Sequence, residues 1–272
     1  MENAVLIHGG AGSPYSMSSV LEDILKSIKL ENNPLNMAIS PVISLEDNPL
    51  FNAGTGSVPR IDGSIQMDAA VMSGNEFGSV ICIENVKNPV LVARDVMTKS
   101  PHIMLSGDGA TEFARMMGHE YYNPQTESSM ERLKQFMDDA GKNGMPDKFM
   151  FLKKKSGDTV GAVTRINGKF AAAVSTGGAF PMLRGRVGDS PIIGAGIYAG
   201  DKGAVVATGI GEEIARNLLS YRIYSQLGQE SLETIVKTEV DSFAVSCGII
   251  AITRDEHISY SNTTMAYAYR EF

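Results

Sequence analysis

Two threonine segments and two glycine-flanked loops carry the residue types that nucleophilic catalysis needs. In Gly157-Asp158-Thr159-Val160-Gly161-Ala162-Val163, a threonine stands where a polar stretch gives way to an apolar run. Val174-Ser175-Thr176-Gly177-Gly178 closes a second run with another threonine. Between them lies Asn167-Gly168, the strongest short-range signal for a β-hairpin. A two-residue turn there sets Thr159 and Thr176 at one end of a ribbon with their hydroxyls side by side, each eight residues from the nearer turn residue. Alone, Thr159 reads as an ordinary β-branched strand residue; a hydroxyl becomes a nucleophile only when a base takes its proton. In Gly185-Arg186-Val187-Gly188-Asp189-Ser190, a planar donor fork and a carboxylate stand three residues apart. Such a pair can grip both charges of an amino acid, and its plainer reading is a salt bridge between the two. Ala207-Thr208-Gly209-Ile210-Gly211-Glu212 ends a strand and opens a helix, so its N–H groups can face a developing oxyanion, or simply make a turn.

These residues need a scaffold, and the chain supplies strands and helices in groups. Ala4 to His8 reads as a buried strand feeding the glycines of HGGAG. Ser19 and Glu22 have capping-box spacing ahead of an apolar face at Leu21, Ile24, Leu25 and Ile28. The stretch from Pro34 to Pro59 is rich in turn formers, and 45–54 reads as a structured loop. Asp62-Gly63 is expected to separate two strand-like runs, with a further strand at 77–83. Helices are expected at 111–117 and 129–140, and an exposed connection at 142–158. Past the hairpin come a strand at 204–208, one helix over about 212–226, and strands at 247–253 and 258–262. This order favours α+β, with antiparallel sheets covered by helices, over a doubly wound sheet.

Composition excludes several classes. The 272 residues are 43% hydrophobic, enough to fill a core. A net charge of −7, with basic residues scattered except at Lys153–Lys155, gives no surface for nucleic acid or anionic lipid. His8, His102, His119 and His257 have no zinc-site spacing, and neither glycine loop has GxGxxG or P-loop spacing. Two cysteines, Cys82 and Cys247, read as core thiols of a protein in a reducing, cytoplasmic setting. The apolar stretch 4–7 is too short for a signal peptide or a membrane span.

In order along nearly the whole chain stand HGGAG (8–12), LEDNPLFNAGTGSV (45–58), MDAAVM (67–72), GDGATEFAR (107–115), TVGAV (159–163), STGG (175–178), GRVGDSPIIGAG (185–196) and TGIGE (208–212). The series resembles the type 2 L-asparaginase/isoaspartyl dipeptidase family, which are N-terminal nucleophile hydrolases. That resemblance implies an αββα four-layer sandwich, two antiparallel sheets between helix layers, in one domain over 1–272. It further implies a precursor that cleaves itself between Asp158 and Thr159 into an α chain, 1–158, and a β chain, 159–272. The freed α-amine of Thr159, with a pKa of about 7.7–8.0, would then serve as base for the hydroxyl of the same residue.

By position, the resemblance implies that Thr176 orients the nucleophile and that Thr208 and the Gly209 N–H stabilise the oxyanion. Arg186 and Asp189 would clamp the substrate's carboxylate and ammonium. Asn52 would support the nucleophile, and a sodium ion would sit on the main-chain oxygens of Leu45, Glu46, Asn48, Phe51, Ala53 and Thr55. No organic cofactor is implied. The expected partners are small molecules, asparagine or β-aspartyl dipeptides, and a second copy in a homodimer of αβ units. Asp158 at the cleavage position is the choice of the glycosylasparaginase and taspase branches, where plain asparaginases usually have Gly, whereas STGG and GRVGDS favour plain asparaginases. Competing readings are therefore a glycosylasparaginase-like or taspase-like hydrolase, and an uncleaved member acting as a binding protein.

Overall fold

The apolar runs show no period of two because their strands are buried on both faces. In a computed structural model, residues 2–143 and 159–272 are described; Asp158 and most of the expected connection at 142–158 lie outside them. The first part comprises β1 (Ala4–Ala11), α1 (Ser18–Ser27), α2 (Pro34–Asp47), β2 (Met67–Ser73), β3 (Glu76–Ile83), α3 (Pro89–Lys99), β4 (Met104–Ser106), α4 (Gly107–Met116) and α5 (Glu127–Asn143). The second comprises β5 (Val160–Ile166), β6 (Lys169–Thr176), β7 (Ile197–Gly200), β8 (Gly203–Gly209), α6 (Gly211–Asn217), α7 (Leu219–Gln226), α8 (Leu232–Asp241), β9 (Cys247–Thr253), β10 (His257–Ser261) and β11 (Met265–Glu271).

Among the described residues, the strands form a seven-stranded sheet, β11-β1-β5-β6-β2-β3-β4, and a four-stranded sheet, β10-β9-β8-β7. Alternate side chains decide the layers. Val5 and Ile7, with Ala171 and Ala173, pack toward α1, α2 and α3, whereas Leu6, Val163, Ala172 and Val174 face the second sheet. On β8, Ala204 and Val206 face the first sheet, while Val205 and Ala207 pack under α7 and α8. The result is the αββα sandwich. One pairing departs from the expected antiparallel pattern: β4 lies parallel to β3, so the large sheet is mixed.

The hairpin forms as the Asn167-Gly168 signal requires. Both turn residues have positive φ, 50° and 74°, and Val160 pairs with Ser175. Several local expectations do not hold. Within the stretch rich in turn formers, residues 34–47 form helix α2, so the loop expected at 45–54 begins only at Asn48; Asn33 accepts the Asn36 N–H and Pro34 stands in the first turn. The helix is buried on most sides, which removes the amphipathic period, and it carries Pro41 inside. Asp62-Gly63 turns within a loop, and the hairpin between strands is at Gly74-Asn75. The capping box at Ser19 and Glu22 does not form: α1 starts at Ser18, and Ser19 Oγ donates to the Ser16 carbonyl. The helix at 212–226 is broken at Leu218, whose φ is 46°. The elements α3, β4, β7, α8 and β11 add to those expected from the sequence.

Candidate active site

Thr159, Thr176 and Thr208 continue the stripes of residues that face the space between the sheets. They do so where that space opens, at neighbouring ends of β5, β6 and β8. Thr159 is only 6% exposed, and its hydroxyl donates to Thr176 Oγ1 at 3.3 Å. Ser190 Oγ lies 3.5 Å from the same hydroxyl. Thr176 Oγ1 also accepts the Gly178 N–H at 2.9 Å. An oxygen held by two donors keeps a fixed direction, so Thr176 is a rigid hydrogen-bond post for its neighbour.

Asn52 locks that post from behind. Its Nδ2 donates to the Gly178 carbonyl at 2.5 Å, its Oδ1 accepts the Val58 N–H at 3.0 Å, and its carbonyl accepts the Gly177 N–H at 2.9 Å. A Cβ on Gly177 would stand 2.4 Å from Asn52 Oδ1, so glycine is needed for this approach. These bonds go to the turn after Thr176.

Thr208 is fully buried, and its Oγ1 accepts the Ala11 N–H at 3.1 Å, which leaves its own proton free to be donated. The Ala207 N–H donates to Gly196 and the Ile210 N–H to Ser246. Strand alternation turns the Gly209 N–H to the side of Ala207, and Gly209 lines the cleft with Thr159. Gly209 has φ 139°, and a Cβ there would meet the Ser246 carbonyl at 2.2 Å.

Arg186 and Asp189 line the same cleft. They are not each other's hydrogen-bond partner: Arg186 Nε and Nη2 donate to the two carboxylate oxygens of Glu212 at 3.2 and 2.9 Å. Asp189 is buried, and burial pushes its carboxyl up to about 7, against the pull of its own backbone N–H and the nearby Arg186. Its Oδ2 has no hydrogen-bond partner among the described residues. Gly211 makes this crowding possible, because a Cβ there would stand 2.7 Å from Asp189 Oδ1 and 2.9 Å from Arg186 Nη2. Gly211→Ala is therefore expected to wedge the pair apart, raising KM by roughly tenfold or more while kcat changes little, measured by initial rates on asparagine.

A family model described as Asparaginase matches residues 1–271. The chain belongs to the Asparaginase family. A plant-type L-asparaginase of Pyrococcus horikoshii is 38% identical over 291 residues, covering 98% of this chain and 95% of that protein. An isoaspartyl peptidase of Escherichia coli is 36% identical over 286 residues, covering 94% and 88%. An N(4)-(beta-N-acetylglucosaminyl)-L-asparaginase of Elizabethkingia miricola is 37% identical, but the match covers 71% of this chain and 59% of that protein.

The Asparaginase family implies a sodium ion in the loop after α2, and the donors there are of the right kind. The carbonyls of Leu45, Asn48, Phe51 and Ala53 each accept one N–H within the loop and keep a second lone pair. The loop's carbonyls crowd two glycines: a Cβ on Gly56 would lie 2.0 Å from the Phe51 oxygen, and one on Gly54 would lie 2.4 Å from the Glu46 oxygen. A cradle of neutral oxygens suits a hard cation.

Two contacts have no counterpart in the sequence pattern. Ser190 lies within GRVGDS and Glu212 within TGIGE, but their partners come from other segments, so spacing carries no signal for either role.

Proposed function

We propose that this chain is a threonine amidohydrolase that cleaves itself between Asp158 and Thr159. It then hydrolyses L-asparagine to aspartate and ammonia, and β-aspartyl dipeptides to aspartate and an amino acid. The observation that carries this reading is the Thr159–Thr176 hydroxyl contact at 3.3 Å, in a cleft that also holds Arg186 and Asp189. The charged groups that line the cleft, Arg186 and Asp189, match the two charges of a small amino-acid derivative.

In the cleaved chain, the Thr159 amine takes the proton of its own hydroxyl as the oxygen attacks the side-chain amide carbon. Thr176 fixes the direction of that oxygen. Thr208 Oγ and the Gly209 N–H donate to the oxyanion of the tetrahedral intermediate, a service worth about 2.7–4 kcal/mol for one such donor. The amine returns the proton to the leaving nitrogen, which departs as ammonia or an amino acid. Water then opens the β-aspartyl ester on Thr159 with the same amine as base. Arg186 holds the α-carboxylate and Asp189 the α-ammonium, which makes the attack effectively unimolecular.

The main-chain oxygens of Leu45, Glu46, Asn48, Phe51, Ala53 and Thr55 would hold a sodium ion, stiffening the loop that carries Asn52. No organic cofactor enters the scheme. A cytoplasmic location and a homodimer of αβ units complete the proposal. Two buried, unpaired cysteines support the former, and among the described residues no helix is long and apolar enough to cross a membrane.

The test is intact-mass analysis of aged protein coupled to release assays on asparagine, β-aspartyl-leucine and a glycosylated asparagine. Cleavage after Asp158 with turnover of the first two is expected. A preference for the glycosylated substrate would move the chain to the neighbouring branch, and a permanently uncleaved, inactive chain would defeat the reading.

The pH profile follows from two groups. Asp189 must be ionised to hold an ammonium, and burial sets its carboxyl at about 7. The Thr159 amine must be neutral and titrates at about 7.7–8.0. On the acid side kcat/KM is therefore expected to fall with two protons, below about pH 8, whereas kcat at saturating substrate falls with the amine alone. Initial rates from pH 5 to 9 check this.

A further inference from the structure

Beside the two threonines stands a third polar residue that the hydrolytic scheme does not use. Asp68 on β2 is the register partner of Thr176, and it shares the face turned toward the second sheet with Ala70 and Met72. One cross-strand row therefore runs Thr159, Thr176, Asp68. Asp68 is fully buried; its Oδ1 accepts the Cys82 N–H at 2.7 Å, and its Oδ2 has no hydrogen-bond partner among the described residues. Two cations feel its charge, Arg60 and Arg186.

Arg60, itself fully buried, is the other half of the device. Its Nη2 donates to the Gln66 carbonyl at 3.1 Å and reaches the Arg186 carbonyl at 3.4 Å, while Nη1 reaches the Gly177 carbonyl at 3.4 Å. One guanidinium thus ties three segments: the lead into β2, the turn after Thr176, and the loop that carries the clamp. A buried guanidinium stays in place only if a buried anion compensates it, and Asp68 is the carboxylate whose charge does so. The Gly185 N–H, donated to Gln66 Oε1 at 2.7 Å, fixes the same loop from the neighbouring residue.

We propose that Asp68, acting with Arg60, is a positioning residue that sets the 185–189 loop so that Arg186 and Asp189 meet the substrate's α-carboxylate and α-ammonium. It touches neither substrate nor nucleophile, and the inference rests on the proposed amidohydrolase reading. Removing its charge lets Arg60 relax, and the clamp loop moves with it.

The test uses Asp68→Asn, which keeps an oxygen for the Cys82 N–H, and Arg60→Lys, which keeps the charge but loses the fork. Both are purified after self-cleavage beside the unaltered protein. KM for asparagine is expected to rise by between about tenfold and a hundredfold, with kcat within about threefold of the unaltered protein. The Kd for L-aspartate, read by calorimetry without any turnover, is expected to rise by the same factor. The double variant is expected to be no worse than the worse single one, as for two halves of one device. Unchanged KM and Kd, a loss confined to kcat, or failure of both variants to fold would overturn the proposal. If the unaltered protein neither cleaved nor turned over asparagine, the amidohydrolase reading would fail instead, and that result is visible before any variant is compared.

Discussion

Thr159→Ala is expected to remain a single chain of 29.2 kDa and to release no ammonia from asparagine, however long it is kept. One atom is responsible for both losses. In the proposed maturation, the hydroxyl is the group beside the scissile bond that can attack the carbonyl before it; in the proposed turnover, the same oxygen attacks the substrate amide. The fold is expected to survive, because the hydroxyl's contacts are with Thr176 and Ser190 at 3.3 and 3.5 Å, and no buried charge depends on it. Removing a catalytic nucleophile typically costs on the order of 10⁶ in kcat, since the rest of the machinery has nothing to act through. Thr159→Ser keeps the oxygen and should mature and turn over at a reduced rate, so the pair of variants isolates the hydroxyl from the strand position. Intact mass and an ammonia assay read both. A Thr159→Ala chain that still splits after Asp158 would show that another group makes the attack.

The pairing of Thr159 with Thr176 was legible because it depends on local chemistry alone. Asn-Gly at a two-residue turn fixes the register, and register fixes which hydroxyls meet. The clamp was legible only in part. The spacing left open a grip on an amino acid's two charges or a plain Arg186–Asp189 salt bridge; Arg186 instead takes both carboxylate oxygens of Glu212, and Asp189 is left buried with a free oxygen. Glu212 comes from the start of α6, and nothing in a sequence tells an arginine which of several carboxylates will reach it. Helix α2 was missed for the opposite reason. A helix buried on most sides shows no polar face, so its sequence looked like a run of turn formers punctuated by Pro34 and Pro41. Asp68 stood in plain view within MDAAVM, but its meaning required the sheet order that puts β2 beside β6.

Asp189→Asn is expected to give a protein that is more stable and far less active. The carboxyl of Asp189 rises from 3.8 to about 7 on folding because burial strips its water, while Arg186 compensates only in part. A carboxyl with a raised native pKa binds a proton in the folded state that the unfolded chain has already lost. Stability therefore falls as pH climbs from about 4 to about 7, and the deficit is fully present above that window. A tenfold difference in proton affinity between folded and unfolded chains is worth about 1.4 kcal/mol, and relaxation around a real site reduces the total, so the gain from an uncharged amide at pH 8 should be on the order of 1–3 kcal/mol. For a chain of this size that is several degrees in Tm. The advantage should shrink steadily as pH is lowered toward 4, where the native carboxyl is protonated as well. Activity moves the other way. An amide cannot neutralise the substrate's ammonium, and losing one partner of a buried charged contact costs about 2–3 kcal/mol, or roughly a hundredfold in kcat/KM. Thermal melts of both proteins from pH 4 to 8, beside initial rates, check the two halves together. An Asp189→Asn variant that melts lower than the unaltered protein at pH 8 would mean that Asp189 stabilises the loop it sits in. The buried carboxylate would then no longer be a strain that the fold carries for the sake of binding.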